Sequence, residues 1–334
     1  MGVDAIYFPY IRVPENEWFT RSLLFWDNIG SIVPMDFMHN TELLGPYMNN
    51  LVKEQLVTPI VPLKYLHKIP NFTSAFLEYI DKHDYPVPRD KYERLKRPTS
   101  LIHIEKLGNI SNELCNRGLA SQGNYPWYNV ETFTANQFMA YLSACLGCLP
   151  EIKCQPITDN ATNLKSFSPI NRNSNYIPDI DQLRTVILED ILPCPKTGID
   201  PHEIAKFKTK NNKDLKLFRA KIESALVDID IIQDPINRAR KVETYKAELH
   251  SEVYYITELM KSSDWKHIST GRLIAYSKLG LGFGGAILTR GLLGVVIAAL
   301  GIGSAGLDLY HESVKPKAIY GHYCAYAVMA HKQF

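Results

Sequence analysis

The stretch AIYFPYIRVPENEWFTRSLLFWDNIGSIV, residues 5–33, decides the prediction of the fold. Its first seven residues, AIYFPYI, are mostly apolar and aromatic, and this run predicts a strand. Residues 17–33 follow Pro14 and carry apolar side chains at helical spacing, which predicts an amphipathic helix. The apolar face of that helix consists of Trp18, Leu23, Leu24, Trp26 and Ile29. A strand followed by a helix is the repeating unit of α/β proteins.

The same alternation continues through the first half of the chain. The helical pattern recurs in ELLGPYMNNLVKEQ, NFTSAFLEYIDKH, SNELCNRGLA and TANQFMAYLSACLGCL. Short apolar runs or strands separate these helices, namely VTPIVP, SLIHIEKL and KCQPITD. Gly118 is expected to end its helix in the left-handed conformation. We therefore predict a mixed α/β domain over residues 1–195.

A second, helical domain is predicted over residues 196–334. Two long segments each open with Asp-Pro, at Asp200 and Asp234, and carry apolar residues three or four positions apart. They predict an antiparallel helical hairpin over residues 200–264. The expected seam consists of Ile204, Phe207, Leu215, Phe218, Ile222 and Ala225 on the first segment, and of Ala239, Val242, Leu249, Val253, Ile256 and Met260 on the second. The fold class is thus α+β or α/β with a helical C-terminal domain. Residues 160–178 are polar and turn-rich and predict a loop.

The glycine-rich stretch 279–307 holds nine glycines and a single charge, Arg290. Its second half, 291–307, spans about 25 Å as a helix, which is marginal against a hydrocarbon core of about 30 Å. Small residues recur along one helix face at Gly294, Ala298, Gly301 and Ala305. Such a stripe allows helices to pack closely in either a membrane or a protein core. We favour a buried helical segment, with membrane insertion as the alternative.

Composition narrows the classes of partner and the cellular location. Thirty-seven basic and thirty-five acidic side chains give a formal net charge of +2, so no overall field draws the protein to nucleic acid. The N-terminal residues lack the pattern of a secretory signal. We expect a cytoplasmic protein, with peripheral or conditional attachment to the inner membrane as the alternative.

One local charge asymmetry stands out between residues 203 and 221. Seven Lys or Arg residues face two acidic ones, and the candidate binding residues among them are Lys206, Lys210, Lys213 and Arg219. A basic helix face contacts either solvent or a phosphate group, and we favour solvent because no aromatic residue is interleaved for base stacking. Nucleic-acid binding is therefore expected to be absent or weak.

Cysteine spacing gives one weak metal signal. Cys145, Cys148 and Cys154 can supply three zinc ligands, but no fourth ligand follows at a usual spacing. We therefore predict reduced, buried thiols with no bound metal and no cofactor.

Four polar residues are candidates for catalysis. Asp27 follows Trp26 and lies near aromatic residues that raise the pKa of a carboxylate, although an aspartate there also caps a helix. His103 and Glu105 alternate along the strand expected over SLIHIEKL and so share one face, as an acid–base pair, a metal-binding pair or a plain polar pair. Asp159 follows a strand, where ligands bind α/β sheets, but Thr-Asp-Asn is also an ordinary turn. The common nucleotide-binding, serine hydrolase and zinc protease motifs are absent.

Several landmarks, taken in order, resemble an uncharacterised bacterial family that is described as a domain of unknown function. They are Tyr7, Pro9 and Ile11, then Trp18 and the Leu24, Trp26, Asp27, Ile29 and Ile32-Val33-Pro34 series, His103 to Leu107, Gly118-Leu119-Ala120, Pro156 to Asp159, Ile191-Leu192-Pro193, Phe207 with Phe218-Arg219, and the closing segment KAIYGHYCAYAVMAHKQF. The resemblance implies one continuous fold from residue 5 onward. It implies no activity.

Three functions remain open from the sequence. The favoured one is a non-enzymatic interaction or scaffold component of a bacterial multi-protein system such as antiphage defence, with a protein partner or a second copy on the hairpin. The alternatives are a membrane-acting effector that uses residues 279–307, and an enzyme with a site near Asp27, His103 and Glu105.

Overall fold

The computed structural model describes residues 4–82, 85–159, 180–193, 199–262 and 322–334. The predicted mixed α/β fold class with a helical C-terminal portion is confirmed. Contacts divide the chain into two compact units, which are described one at a time. Unit 1 comprises Met1–Gln182 and Pro195–Lys206, and unit 2 comprises Leu183–Cys194 and Phe207–Phe334.

Unit 1 contains two small sheets. The strands are β1 (Ala5–Tyr7), β2 (Ile29–Ile32), β3 (Val57–Ile60), β4 (Thr99–His103), β5 (Ala120–Gln122), β6 (Trp127–Glu131) and β7 (Gln155–Ile157). Sheet A is parallel in the order β3-β2-β1-β7, and sheet B is antiparallel in the order β4-β6-β5. The two outer strands of sheet A each contain a proline, Pro59 in β3 and Pro156 in β7.

Eight α-helices accompany these strands in the described part of unit 1 before residue 160. They are α1 (Glu17–Phe25), α2 (Met35–His39), α3 (Pro46–Lys53), α4 (Phe72–Ile80), α5 (Lys91–Leu95), α6 (Ile104–Leu107), α7 (Ile110–Asn116) and α8 (Thr132–Gly147). Short 3-10 turns cover Thr41–Leu44, Pro62–Lys64 and Leu66–Lys68. Gly118 follows α7 with a φ of +68°, as the sequence predicts for a left-handed terminator.

Helix α8 forms the centre of unit 1 because it packs against strands of both sheets. It contacts β1 and β7 of sheet A, and β4 and β6 of sheet B. Its core side chains include Phe138, Leu142 and Leu146, all fully buried. Where it ends, a Cβ atom on Gly147 would lie 2.3 Å from the carbonyl oxygen of Cys154, so only glycine allows this approach to the start of β7.

The predicted helix over residues 17–33 is wrong in its second half. Helix α1 ends at Phe25, Trp26 is extended, and Ile29–Ile32 forms β2 in the middle of sheet A. The Asp4 carboxylate accepts the backbone N–H groups of Asp27 (2.9 Å) and Asn28 (3.4 Å) between the two elements. A parallel strand that is buried on both faces carries a continuous apolar run, and this run mimics the next turn of a helix.

The strand predicted over SLIHIEKL also ends earlier than expected. Strand β4 stops at His103, and Ile104–Leu107 forms the short helix α6. The His103 imidazole begins that helix as its N-cap, accepting the backbone N–H of Glu105 at 3.3 Å. His103 and Glu105 therefore do not share a strand face.

Every element of regular secondary structure in the described residues of unit 2 is a helix. The helices are α9 (Ile180–Ile191), α10 (Pro201–Lys210), α11 (Asn212–Asp230), α12 (Pro235–Ser262) and α13 (Ala325–Gln333). The first residues of α9 and of α10 belong to unit 1, and the rest of both helices belongs to unit 2. The first helix of the predicted hairpin is divided at Asn211, whose side-chain amide donates to the carbonyl of Phe207 at 2.9 Å. The predicted loop 160–178 and glycine-rich stretch 279–307 lie outside the described residues.

Helices α11 and α12 form the predicted antiparallel hairpin. Near its tip, Arg238 pairs with Asp230 at 3.0 Å, and farther along the Tyr245 hydroxyl donates to the carbonyl of Lys221 at 3.2 Å. The seam differs from the prediction at four residues. Leu226 and Tyr245 are buried although they were not predicted, whereas Ala225 is only half-buried and Ala239 is exposed. Helix α13 closes the core, with Tyr326 stacked on Phe218.

Among the helices that the structure describes, none combines the length and apolarity needed to cross a bilayer.

A substitution at Leu249 tests the packing of the hairpin, because this side chain is 1% exposed at the α11–α12 seam. We expect Leu249→Asp to lower the free energy of unfolding by about 3–5 kcal/mol, since it removes a core side chain and buries a carboxylate. Ala247→Asp introduces the same group at a neighbouring exposed position of the helix and should cost less than about 1 kcal/mol, chiefly through lower helix propensity. Chemical denaturation measures both, and equal losses in the two variants would contradict the hairpin packing.

A substitution at Glu131 tests how the start of α8 is stabilised. Its carboxylate is 2% exposed, accepts the backbone N–H and the hydroxyl of Thr134 at 2.8 Å each, and pairs with Arg97 at 2.8 Å. We expect Glu131→Ala to cost about 2–4 kcal/mol, because it leaves the helix cap and a buried hydroxyl without an acceptor. Glu93→Ala removes the exposed pair with Lys96 and should cost less than about 1 kcal/mol. Urea midpoints that fall equally would refute a special role for Glu131.

Candidate functional site

The carboxyl ends of the parallel strands meet along one edge of sheet A, where ligands bind in open α/β sheets. Two groups of polar side chains lie near this edge. The first surrounds Asp159, which follows β7. The second combines Asp36, which follows β2, with His103 and Glu105 from the β4–α6 junction.

Asp159 lies where the strand order of sheet A changes direction, between β1 and β7. Its carboxylate accepts hydrogen bonds from the Tyr7 hydroxyl and from the Asn16 side-chain amide, each at 3.3 Å. Burial, and next the Asp159 charge, raise the pKa of Tyr7 above its usual range. Each carboxylate oxygen of this exposed residue thus has a partner that ties the end of β7 to β1 and to the start of α1.

Asp36, His103 and Glu105 form the second group, which we call the Asp36–His103–Glu105 cluster. One potential ligand atom from each side chain lies within 4.8 Å of the other two. His103 is 2% exposed, Glu105 is half-buried and Asp36 is exposed. Within the described ranges, this is the one place where three histidine, cysteine or acidic side chains converge in this way.

Local packing holds the members of the cluster in place. Edge-to-face contacts fix the His103 ring, with centroid distances of 5.1 Å to Trp127 and 6.5 Å to Phe37. The Glu105 carboxylate accepts the backbone N–H of Met35, the first residue of α2, at 2.6 Å. Because Asp36 is the next residue on that helix, this hydrogen bond fixes both carboxylates relative to each other.

Electrostatics keep the imidazole neutral at physiological pH. Burial lowers the pKa of His103; the Glu105 and Asp36 carboxylates oppose this shift, and the Lys106 charge adds to it. A neutral imidazole has one lone pair, and that of His103 accepts the Glu105 N–H at the start of α6, so a bound cation would replace this hydrogen bond. Two carboxylates and one imidazole form a ligand set that suits a divalent cation such as Mn²⁺ or Zn²⁺, and leave coordination positions for water or substrate.

Lys106 lies next to the cluster in sequence but inside the protein. It is 3% exposed, and burial lowers its pKa to about 7. No ion pair of its ammonium group is found within the described ranges. The amine therefore loses its proton near neutral pH, which removes the cost of burying an unpaired charge.

Asp27 does not belong to this site. It lies between α1 and the start of β2, at the opposite edge of sheet A from the cluster, and its backbone N–H donates to Asp4. The cysteines also lie apart from the cluster, near the start of β7, and burial raises the pKa of Cys145 and, to about 12, that of Cys154. Thiols that keep their protons are poor metal ligands.

The remaining residues singled out from the sequence fall in unit 2, at its boundary or in undescribed sequence. Lys206, Lys210 and Lys213 are exposed on α10 and α11, and Arg219 is half-buried on α11. Gly294, Ala298, Gly301 and Ala305 lie outside the described residues.

Asp36 is the member of the cluster that sequence reasoning missed. It was missed because residues 29–33 were predicted to be part of a helix, and this prediction hid the end of a buried parallel strand. Had Ile29–Ile32 been identified as a strand, an aspartate four residues after its end would have marked the ligand-binding edge of the sheet.

Comparisons with known families, curated proteins and solved structures found no match for the chain. The resemblance noted in the sequence stays a prediction.

The buried lysine generates a prediction about pH. The unfolded chain holds the Lys106 proton up to the usual pKa of 10.5, whereas the folded chain releases it near 7. Folding stability should therefore rise with pH across this interval and be lost as pH falls towards 7. Lys106→Met removes the titrating amine, so the variant should be more stable than the wild type at pH 7. This difference in the free energy of unfolding should shrink by roughly 2–4 kcal/mol between pH 7 and pH 10.

Urea denaturation in the presence of a chelator measures this difference without interference from metal ions. Lys64→Met, at an exposed lysine, is the matched control and should follow the wild type at both pH values. A stability difference between Lys106→Met and wild type that does not change with pH would show that Lys106 is not buried without a partner.

Proposed function

We propose that unit 1 binds one divalent cation with Asp36, His103 and Glu105 and that the protein is a metal-dependent hydrolase. The observation that carries the proposal is the convergence of the three ligand atoms within 4.8 Å of one another, beside the carboxyl end of β2. This proposal keeps His103 and Glu105 from the enzyme alternative and replaces Asp27 with Asp36. It departs from the non-enzymatic function that the sequence favoured.

A bound divalent cation would supply a Lewis acid and lower the pKa of a coordinated water towards neutrality. The chain's own residues have distinct roles. His103 provides a neutral nitrogen whose ring is held by Trp127, Glu105 provides a carboxylate fixed by the Met35 N–H, and Asp36 provides a carboxylate open to solvent. The exposed side of the cluster, at Asp36, is where a substrate would approach.

Cation binding is measured by titration calorimetry of Mn²⁺ or Zn²⁺ into protein that has been stripped with a chelator. We expect one equivalent to bind to the wild type and the affinity to fall at least about tenfold in Asp36→Asn and Glu105→Gln, because each loses a ligand charge. Glu105→Gln retains an oxygen that can accept the Met35 N–H, so loss of binding is not a folding effect. Asp159→Asn, at the neighbouring polar group, is the control and should bind as the wild type does.

Hydrolysis is measured separately, with bis(p-nitrophenyl) phosphate and p-nitrophenyl acetate as generic phosphodiester and ester probes. Metal-dependent turnover that Asp36→Asn abolishes would support the proposed reaction class. Unaltered affinity in both ligand variants would refute the cation site. Binding without turnover of either probe would count against the hydrolase and leave a cation-binding protein.

A second candidate is the interaction component that the sequence favoured, because helix α11 of unit 2 carries exposed apolar side chains. A role in a bacterial multi-protein system such as antiphage defence would use this surface. The membrane-effector alternative depends on residues 279–307, which lie outside the described residues.

A further inference from the structure

The Asp36–His103–Glu105 cluster is bordered by two aromatic side chains that keep part of their surface exposed. Trp127 of β6 and Phe37 of α2 each meet the His103 ring edge to face, at centroid distances of 5.1 Å and 6.5 Å. Both aromatic side chains are half-buried, whereas His103 itself is 2% exposed. A ligand group held at the cluster therefore lies within reach of both rings.

Strand β4 extends this border with an exposed leucine. Leu101 is 63% exposed and, two residues before His103, shares its face of the strand. The pairing of β4 with β6 places Trp127 opposite His103, which makes Leu101 a diagonal neighbour of Trp127 on that face. We call Phe37, Leu101 and Trp127 the apolar rim. Apolar side chains beside a few converging polar groups are typical of sites that bind small molecules with an apolar part.

The charges around the cluster limit the class of substrate. The Asp36 and Glu105 carboxylates would balance a divalent cation, and since the imidazole is neutral the loaded site would carry no net charge. Among the described residues, the charged groups that act on His103 are these two carboxylates and Lys106, whose amine is buried. Phosphate esters are anionic, and enzymes stabilise their reaction with arginine or lysine side chains or with paired metal ions, whereas one cation polarises an uncharged carbonyl group. The electrostatics therefore favour an uncharged substrate.

We propose, on the basis of the cation-dependent hydrolase above, that the substrate is an uncharged carboxylic ester or amide with an aromatic ring close to its carbonyl group. The carbonyl oxygen is directed to the cluster, and the ring packs on the apolar rim, where it removes apolar surface from water. Hydrolysis adds one water molecule: its oxygen bonds to the carbonyl carbon, the bond from that carbon to the leaving oxygen or nitrogen breaks, and a proton of the water passes to the leaving atom. The rim thus determines which ester is accepted.

Two ketones test ring binding without turnover. Benzylacetone and butanone are uncharged, share the carbonyl group and differ by one phenyl ring. In protein loaded with Mn²⁺, the paramagnetic ion raises the relaxation rates of nearby ligand protons, so an NMR titration reports affinity and proximity together. We expect benzylacetone to bind at least about tenfold more tightly than butanone, because its ring buries apolar surface. Its ring protons should relax faster than they do in protein loaded with diamagnetic Zn²⁺.

Substitutions in the apolar rim locate the ring. Leu101→Ser should weaken benzylacetone binding at least about threefold and leave the affinities for butanone and Mn²⁺ unchanged, because Leu101 is exposed and supplies no ligand atom. Leu95→Ser, at a leucine of α5 that is 52% exposed, is the matched control. Trp127→Leu should weaken benzylacetone binding at least about tenfold. Its Mn²⁺ affinity and thermal melt are measured in parallel, because Trp127 also holds the His103 ring.

Two esters that share a leaving group test specificity in the reaction. We expect kcat/KM for p-nitrophenyl phenylacetate to be at least about tenfold higher than for p-nitrophenyl acetate. Leu101→Ser should raise KM for the phenylacetate ester and keep kcat within about twofold of the wild type, as loss of uniform substrate binding does.

The outcomes separate this inference from the proposed function on which it rests. A wild type that binds no cation removes the hydrolase and the substrate class together. A wild type that binds the cation but holds benzylacetone and butanone equally overturns the substrate class alone, and so does equal benzylacetone binding in Leu101→Ser and Leu95→Ser. Turnover of bis(p-nitrophenyl) phosphate without turnover of either ester also overturns it, because the uncharged esters are the more reactive compounds.

Discussion

The architecture of unit 1 depends on the buried carboxylate of Glu131. This group ends β6, caps α8 through the backbone and hydroxyl of Thr134, and pairs with Arg97 just before β4. Two neighbouring strands of sheet B and the central helix are therefore joined at one point. Because α8 then packs on β1 and β7, the position of sheet A relative to sheet B follows from how this helix begins.

The candidate site combines this stable framework with short, peripheral elements. His103 comes from the end of β4, next to β6, and its ring rests on Trp127 of that strand. The two carboxylates come from α2 and α6, which have five and four residues and cannot be stable helices alone. The hydrogen bond from Met35 to Glu105 joins them, so the side chain proposed as a ligand also holds the element that carries the other carboxylate.

The sequence allowed the class of fold and much of the core to be predicted, because periodicity reports which side chains are buried. It identified most of the α11–α12 seam and the glycine after α7. It failed at Ile29–Ile32 and Ile104–Leu107, where the local pattern fits two structures and distant contacts choose between them. His103 and Glu105 were chosen for a strand face they do not share, yet they are close because the imidazole caps the helix that carries Glu105. Asp36 could not be joined to them, since their proximity arises from tertiary packing.

The two prolines in the outer strands of sheet A affect how this protein behaves when it is crowded. Pro59 in β3 and Pro156 in β7 have no backbone N–H, so neither side of the sheet offers an uninterrupted row of donors to an incoming strand. In a sheet whose edge strands present every N–H and C=O group, those groups form a template for pairing with another chain. The two prolines therefore work against edge-to-edge pairing between copies of this sheet.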